Sequence, residues 1–433
     1  MASSRHLRPG AGAPITRPGA ATGAGARRAG GRSRVAAIGG GAIGRLSGGL
    51  SRYERSSLFK LDPTLLFASV VLILLSVAIL GVTTQDNETG DPYYFLIRQA
   101  IYAVLGIALM LAVAQIDYSR FRELRVGLYT VMMMPIFLVL LLGSATRGSR
   151  RWIELPFFRL QPSELGKVLL IVALAAFALE VTRAGSERRR TIRLVALGLF
   201  PAAVVFVQPD LGTGLVYGVI TATVMFIGGV SRRHFVALGG IAVAAATIVL
   251  VVAPALGGPS LLQGYQVERL TSFLNPSDDP SDAGYHLQQS KIAVGSGGKF
   301  GQGADSSQSP YGFLPEGRTD FIFATIAERW GFVGSALILS LYALIIWRAL
   351  RILMLSKNLY GSMIAGGIAA MLMFHVFINV GMNLAIMPVT GIPLPLMSYG
   401  GSSALVTFVA IGLLQSIYIQ ARLASGTRAQ PLF

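Results

Sequence analysis

Apolar runs long enough to cross a lipid bilayer recur along this chain, and no other feature restricts its fold so tightly. A spanning helix needs about 20 mostly apolar residues. Ten segments meet or approach that length: 64–83, 94–115, 127–143, 162–181, 192–208, 211–229, 235–256, 321–347, 362–386 and 401–419. In hydrocarbon every backbone N–H and C=O must find an internal partner, so such runs fold as helices. The expected fold is an all-α polytopic membrane protein with about ten transmembrane helices. Charged residues make up 13% of the chain, against about 25% in a soluble domain. The abundant glycines suit close helix packing in lipid.

The formal net charge of +17 raises the question of nucleic acid. Its distribution argues against that class. Residues 1–60 hold eleven Lys or Arg and one acid, Glu54, with no basic helix interleaved with aromatics. We read 1–56 as a disordered basic cytoplasmic tail beside anionic lipid. The transmembrane domain then covers 57–425, and 426–433 is a short cytoplasmic tail. The chain has no cysteine, which excludes disulfides, thiolate chemistry and Cys-ligated metals.

Loop charge sets the expected orientation. With both termini cytoplasmic, the inside loops collect Arg120, Arg122 and Arg125, then Arg183 to Arg193, Arg232 and Arg233, and Arg348, Arg351 and Lys357. Outside lie the short segments 84–93, 209–210 and 387–400, and one long extracytoplasmic loop, 257–320. The outside segment 144–161 breaks the rule with Arg147, Arg150, Arg151 and Arg159. Cations held on that side point to an anionic ligand. A modest apolar stretch near 287–294 suggests that the long loop holds short helices on the membrane surface.

Four stretches carry chemistry. In QPSELGK, Glu164 and Lys167 share a helical face at i, i+3. Such a pair in a spanning helix either braces the packing or faces substrate. In QPDLGTG, Pro209 breaks the helix and Asp210 is placed to cap the next one. In LPEGRTDFIFATIAERWG, Glu316, Arg318 and Asp320 crowd the mouth of the eighth span. Asp320 resembles an N-cap, yet a carboxylate at a water–lipid boundary can also act as a general base. In GMNLAIMPVTGIPLPLMSYGGSSA, Pro388, Pro393 and Pro395 forbid a regular helix, so this backbone must meet protein or a cavity. His375, Asn379 and Asn383 follow at i, i+4, i+8 and should bond between helices. GSGGKFGQG, 295–303, lacks the phosphate-loop pattern and reads as flexible glycine backbone. The four histidines form no zinc pattern.

QPSELGK, QPDLGTG, GYHLQQSKIAVGSGG, LPEGRTDFIFATIAERWG and GIPLPLMSYGGSS resemble, in order and spacing, the motifs of the SEDS family (shape, elongation, division and sporulation). The likeness runs from about Leu61 through the tenth span. LDPTLL and YHLQQSKIAVGSGG are similar to the elongation branch more than the division branch. The resemblance implies a glycosyltransferase that joins lipid II into glycan strands outside the bacterial cytoplasmic membrane. It also implies a class B penicillin-binding protein and the elongation machinery as partners. It matches the family's essential acid to Asp320, its membrane Glu and Lys to Glu164 and Lys167, its QPD acid to Asp210, and its Arg-Trp pair to Arg151 and Trp152. Arg318 stands where the family motif commonly has histidine. Arg151 and Arg159, with Arg269 or Arg318, are the candidates to offset diphosphate charge. A divalent cation could share that task, although no ligand set is evident. A lipid flippase and a non-catalytic scaffold are the rival readings.

Overall fold

The computed structural model describes residues 60–83, 93–142, 144–146, 149–154, 159–181, 186–248, 283–306, 314 and 316–428. The 1–56 tail, Arg269 and the last residues of the 426–433 tail lie outside them.

Eleven α-helices occur among the described residues. They are α1 (Pro63–Thr83), α2 (Tyr94–Gln115), α3 (Arg125–Leu142), α4 (Pro162–Val181), α5 (Glu187–Val207), α6 (Leu211–Ile227), α7 (Arg232–Thr247), α8 (Ala283–Ser296), α9 (Ile322–Leu355), α10 (Leu359–Asn383) and α11 (Gly401–Arg428). Seven of them are long and apolar enough to cross a membrane, and α3 and α6 are shorter apolar helices. The chain is a multi-pass helical membrane protein. The fifth segment, expected to be short, is a full 21-residue helix. It starts at Glu187, so Arg188, Arg189, Arg190 and Arg193 form its first turns rather than a loop. Beyond the hydrocarbon, charge no longer opposes helix. The seventh segment is described only to Ile248.

Segment 144–161 departs from the all-helix expectation. It forms a small antiparallel ribbon of β1 (Ser144–Thr146), β2 (Ser149–Glu154) and β3 (Arg159–Leu160). Ile153 pairs with Leu160 and Glu154 with Arg159.

The main apolar core runs through α1, α4, α6, α9, α10 and α11. Glycines allow the closest approaches. A Cβ on Gly412 of α11 would stand 2.7 Å from the Met110 carbonyl of α2. At the opposite end from the ribbon, the LDP motif ties three helices. Asp62 is fully buried, and its Oδ1 accepts the N–H groups of Thr64 and Leu65 to cap α1. Its Oδ2 accepts Nε of Arg348 on α9 at 2.8 Å, and its backbone pairs with the Gln415 amide of α11.

Helix α9 is broken at Gly331, where φ is 64° and ψ is −160°. Phe332 and Val333 begin a new helical stretch and donate their N–H groups to the carbonyls of Gly298 and Lys299. The glycine-rich 295–303 segment is therefore not a flexible loop. Its backbone packs into the break. A Cβ on Gly297 would lie 1.9 Å from the Ala327 carbonyl, and one on Gly301 2.1 Å from that of Arg329. Only glycine permits these approaches. Helix α8 leads into this segment. Leu287 and Ala293 of α8 join Leu314, Phe321, Ala324 and Val389 in a second small core, so α8 is seated on α9 and α10.

Candidate active site

Asp320 lies in a tight turn that precedes α9. Glu316 begins this turn in the left-handed region, at φ 57°, and its carbonyl accepts the N–H groups of Thr319 and Phe321. The Thr319 hydroxyl donates to Glu316 Oε2 at 2.7 Å. Asp320 is partly exposed. It is not the N-cap that its sequence position suggests. The cap position falls on Phe321, and the N–H of Ala324 is received by Asn383 Oδ1 at 2.9 Å. A side chain from α10 supplies what a local cap would have done. Above the turn, His286 of α8 stacks on Phe321 with ring centroids 5.8 Å apart.

The proline-interrupted segment 384–400 forms the next wall. It is not helical between Leu384 and Gly400, and four of its carbonyls are met by side chains of other elements. Ser76 of α1 donates to Met397 O at 2.7 Å, Gln99 of α2 reaches Ser398 O at 3.4 Å, and Tyr342 of α9 bonds Pro395 O. Asn379 donates to Ile392 O at 2.8 Å. Irregular backbone at this depth is tolerable because each of these groups has a protein partner. Tyr399 closes the wall. Its N–H donates to Arg318 O at 2.8 Å, and its ring meets Phe95 edge-on at 5.0 Å. The Arg318 guanidinium stacks over that Phe95 ring, 4.4 Å from its centroid.

Glu164 and Lys167 form a buried pair in α4, with Nζ 2.7 Å from Glu164 Oε1. Sequence spacing foresaw this pair but not its third member. Lys167 Nζ is also 2.9 Å from His375 Nε2 of α10. His375 Nδ1 lies 2.7 Å from the Met371 carbonyl, which can only accept. Nδ1 therefore carries the proton, and Nε2 accepts from the ammonium. Beside this triad is a small void with room for about one water, bordered by Ser403 and Thr407 of α11.

Asp210 caps α6 through Thr213 N–H at 3.1 Å, and its other oxygen accepts the Gln161 amide at 2.9 Å. Arg151 of β2 donates from Nε to Gln208 O at 3.2 Å and from Nη2 to Pro209 O. It thus braces the turn that presents Asp210. Trp152 is partly buried on the same strand. Arg159 is exposed and lies 3.9 Å from Glu154. Asp210, Arg151, Trp152 and Arg159 gather at one ribbon-and-turn cluster. Asp320 and Arg318 belong to the turn braced by α10 and 384–400. Gln161 N–H donates to Ser402 Oγ at 3.2 Å, which ties the ribbon side to the start of α11, the helix that follows 384–400. Among the described residues, no group of three His, Asp or Glu side chains is placed to hold a metal ion.

The family model of the FtsW, RodA and SpoVE cell cycle proteins matches residues 59–423. This chain belongs to the SEDS family. Its SEDS relatives include stage V sporulation protein E of Bacillus subtilis, 36% identical over 83% of this chain and 97% of that protein. The peptidoglycan glycosyltransferase MrdB of Escherichia coli is 36% identical over 84% of this chain and 95% of that one. Among solved structures, a chain from a peptidoglycan synthase complex that coordinates polymerization and crosslinking superposes with a TM-score of 0.69 at 30% identity, covering 83% of this chain and 98% of that one. Thermus thermophilus rod shape determining protein RodA superposes with a TM-score of 0.61 at 28% identity, covering 86% and 98%.

Proposed function

We propose that this SEDS protein is a peptidoglycan glycosyltransferase that polymerises lipid II on the outer face of the bacterial cytoplasmic membrane, in cell elongation. Glycosyltransferase activity follows from relatives that bear that name along nearly their full length. The observation that carries the site is the Asp320 turn, a partly exposed acid on a backbone braced from two sides.

In the proposed reaction, the 4-hydroxyl of the acceptor sugar attacks the anomeric carbon of the donor. The new C–O bond forms as the bond to the lipid diphosphate breaks, with inversion. Asp320 accepts the hydroxyl proton, and the diphosphate leaves with the bonding electrons. Arg318 of the Asp320 turn, with Arg151 and Arg159 of the ribbon, would offset its charge. Asp210, Trp152, Glu164 and Lys167 line or brace the substrate path. The proposed orientation has the ribbon and the Asp320 turn outside and the Arg-rich helix ends inside; loop charge supports it except at the arginines of 144–161. A class B penicillin-binding protein is the proposed partner, in keeping with the synthase complex that the fold resembles.

The elongation role rests on the LDP and YHLQQSKIAVGSGG motifs, since relatives named RodA, FtsW and SpoVE all match at similar identity. Purified protein incubated with labelled lipid II should yield glycan polymer on a gel while a β-lactam blocks crosslinking. Lipid movement between leaflets without polymer would overturn this reading in favour of a flippase. Expression in rod-shaped cells depleted of their own elongation polymerase should restore rods. Rescue of septation alone would assign the division role.

A further inference from the structure

The three peptide carbonyls that end in Asp320 are all held from outside their own turn. Arg318 O accepts Tyr399 N–H at 2.8 Å. Thr319 O accepts the Ser398 hydroxyl at 2.6 Å. Asp320 O accepts two amides, Asn379 Nδ2 at 2.9 Å and Asn383 Nδ2 at 3.1 Å. We infer that Asn379, Asn383 and Ser398 are positioning residues for the acid at Asp320, fixing the peptide units on which its carboxylate is mounted. The inference rests on the reading of Asp320 as the base.

The bonds are specific in kind. Asn379 and Asn383 are fully buried and Ser398 nearly so. Each side chain also makes a second bond that fixes its own orientation. Asn379 donates to Ile392 O at 2.8 Å, and Asn383 donates to Asn379 O at 2.8 Å while its Oδ1 receives Ala324 N–H. Ser398 Oγ accepts Leu394 N–H at 2.8 Å. A turn that needed only burial could be packed with apolar side chains at lower desolvation cost. Here three polar side chains converge on consecutive carbonyls.

The surrounding backbone is unusual as well. Three non-glycine residues with left-handed φ border this region: Glu316 at 57°, Ala385 at 56° and Leu396 at 64°. Such conformations persist only where neighbouring contacts over-determine them. A general base must sit within about 0.5 Å of its productive place. The turn has no regular secondary structure to impose that, so the α10 amides and Ser398 do it.

The test is a double-mutant cycle on full-length protein, with glycan polymerisation and lipid II binding both measured. Asn383→Asp keeps size and the acceptor for Ala324 but replaces the donor to Asp320 O. Ser398→Ala removes the donor to Thr319 O, and Ser398→Thr restores a hydroxyl. Asn383→Asp and Ser398→Ala should each lower the polymerisation rate by roughly 10²-fold, the cost of about 1 Å of misplacement. Lipid II affinity should hold, and Ser398→Thr should recover most of the rate. In an Asp320→Asn background the same changes should cost nothing further, because they act through that carboxylate. Losses that multiply in that background would make these residues general braces and overturn the inference. So would wild-type rates in folded Asn383→Asp and Ser398→Ala. If Asn383→Asp does not fold, the Ser398 pair decides alone. A fully active Asp320→Asn would instead remove the reading of the acid itself.

Discussion

One stripe of α10 serves two polar clusters in opposite ways. His375 reaches Lys167 and completes a triad whose charged atoms meet one another inside the helix bundle. Asn379 and Asn383, one and two turns further on, reach mainly backbone, and the acid whose peptide they hold is partly exposed. In the first cluster the side chains satisfy each other, the arrangement expected of a pair that braces the packing. In the second the side chains hold the main chain beneath a partly exposed carboxylate. A buried ion pair is weak support for function, whereas a partly exposed acid on a braced turn suits a proton acceptor.

The comparison breaks most sharply at Asp320. Asp320→Asn should fold, bind lipid II and lose roughly 10²–10⁴-fold in polymerisation rate, the usual share of general acid–base catalysis. Normal polymer yield from a well-folded variant would move the base to Glu316.

The converse holds for the triad. Lys167→Ala leaves Glu164 as a buried charge without its cation, which should cost about 3–5 kcal/mol and show as a fall in melting temperature or expression. Replacing Glu164 and Lys167 together with Leu and Met should recover stability. A stable but inactive double variant would put the pair in contact with substrate and erase the distinction drawn above.

Gly301→Ala tests whether the broken helix supports the acid. Its φ of +87° and the Arg329 carbonyl 2.1 Å from the new Cβ predict overpacking worth about 1–3 kcal/mol. Polymerisation should fall while lipid II binding holds, because the disturbance adjoins the helix that follows the Asp320 turn. Equal loss of both measurements would show that the break serves the whole fold.

The smallest effect belongs to Arg151. Arg151→Lys keeps the charge but cannot span the Gln208 and Pro209 carbonyls as a fork, so thermal stability should drop by about 1 kcal/mol. The rate should change less than tenfold. A 10²-fold loss would bring this arginine to the reacting atoms.

The helices were legible because hydrocarbon leaves the backbone no other solution. The stripe His375, Asn379 and Asn383 was legible as interhelical, since polar groups at i, i+4, i+8 in an apolar helix need partners across it. Their identities were not, because Lys167 is 208 positions away from His375 and Asp320 lies 63 from Asn383. Arg151 read as an anion ligand from the cations held on the outer side and from the Arg-Trp resemblance, and its bracing of a turn was not legible. The carbonyls that it braces lie 57 and 58 positions on and carry no side-chain signal. The glycines of 295–303 misled for a related reason. Flexibility and close approach call for the same residue, and only the fold distinguishes them.

The break at Gly331 has a consequence for how the chain meets its membrane during synthesis. The stretch from Phe332 to Leu355 is 24 residues, about 36 Å of helix. It can cross a hydrocarbon layer of about 30 Å unaided. An insertion machinery that selects segments by length and greasiness is satisfied by that stretch alone. The preceding nine residues, 322–330, are released from any duty to be lipid-soluble. That release is what lets Glu328 and Arg329 stand side by side there, buried in protein rather than in lipid.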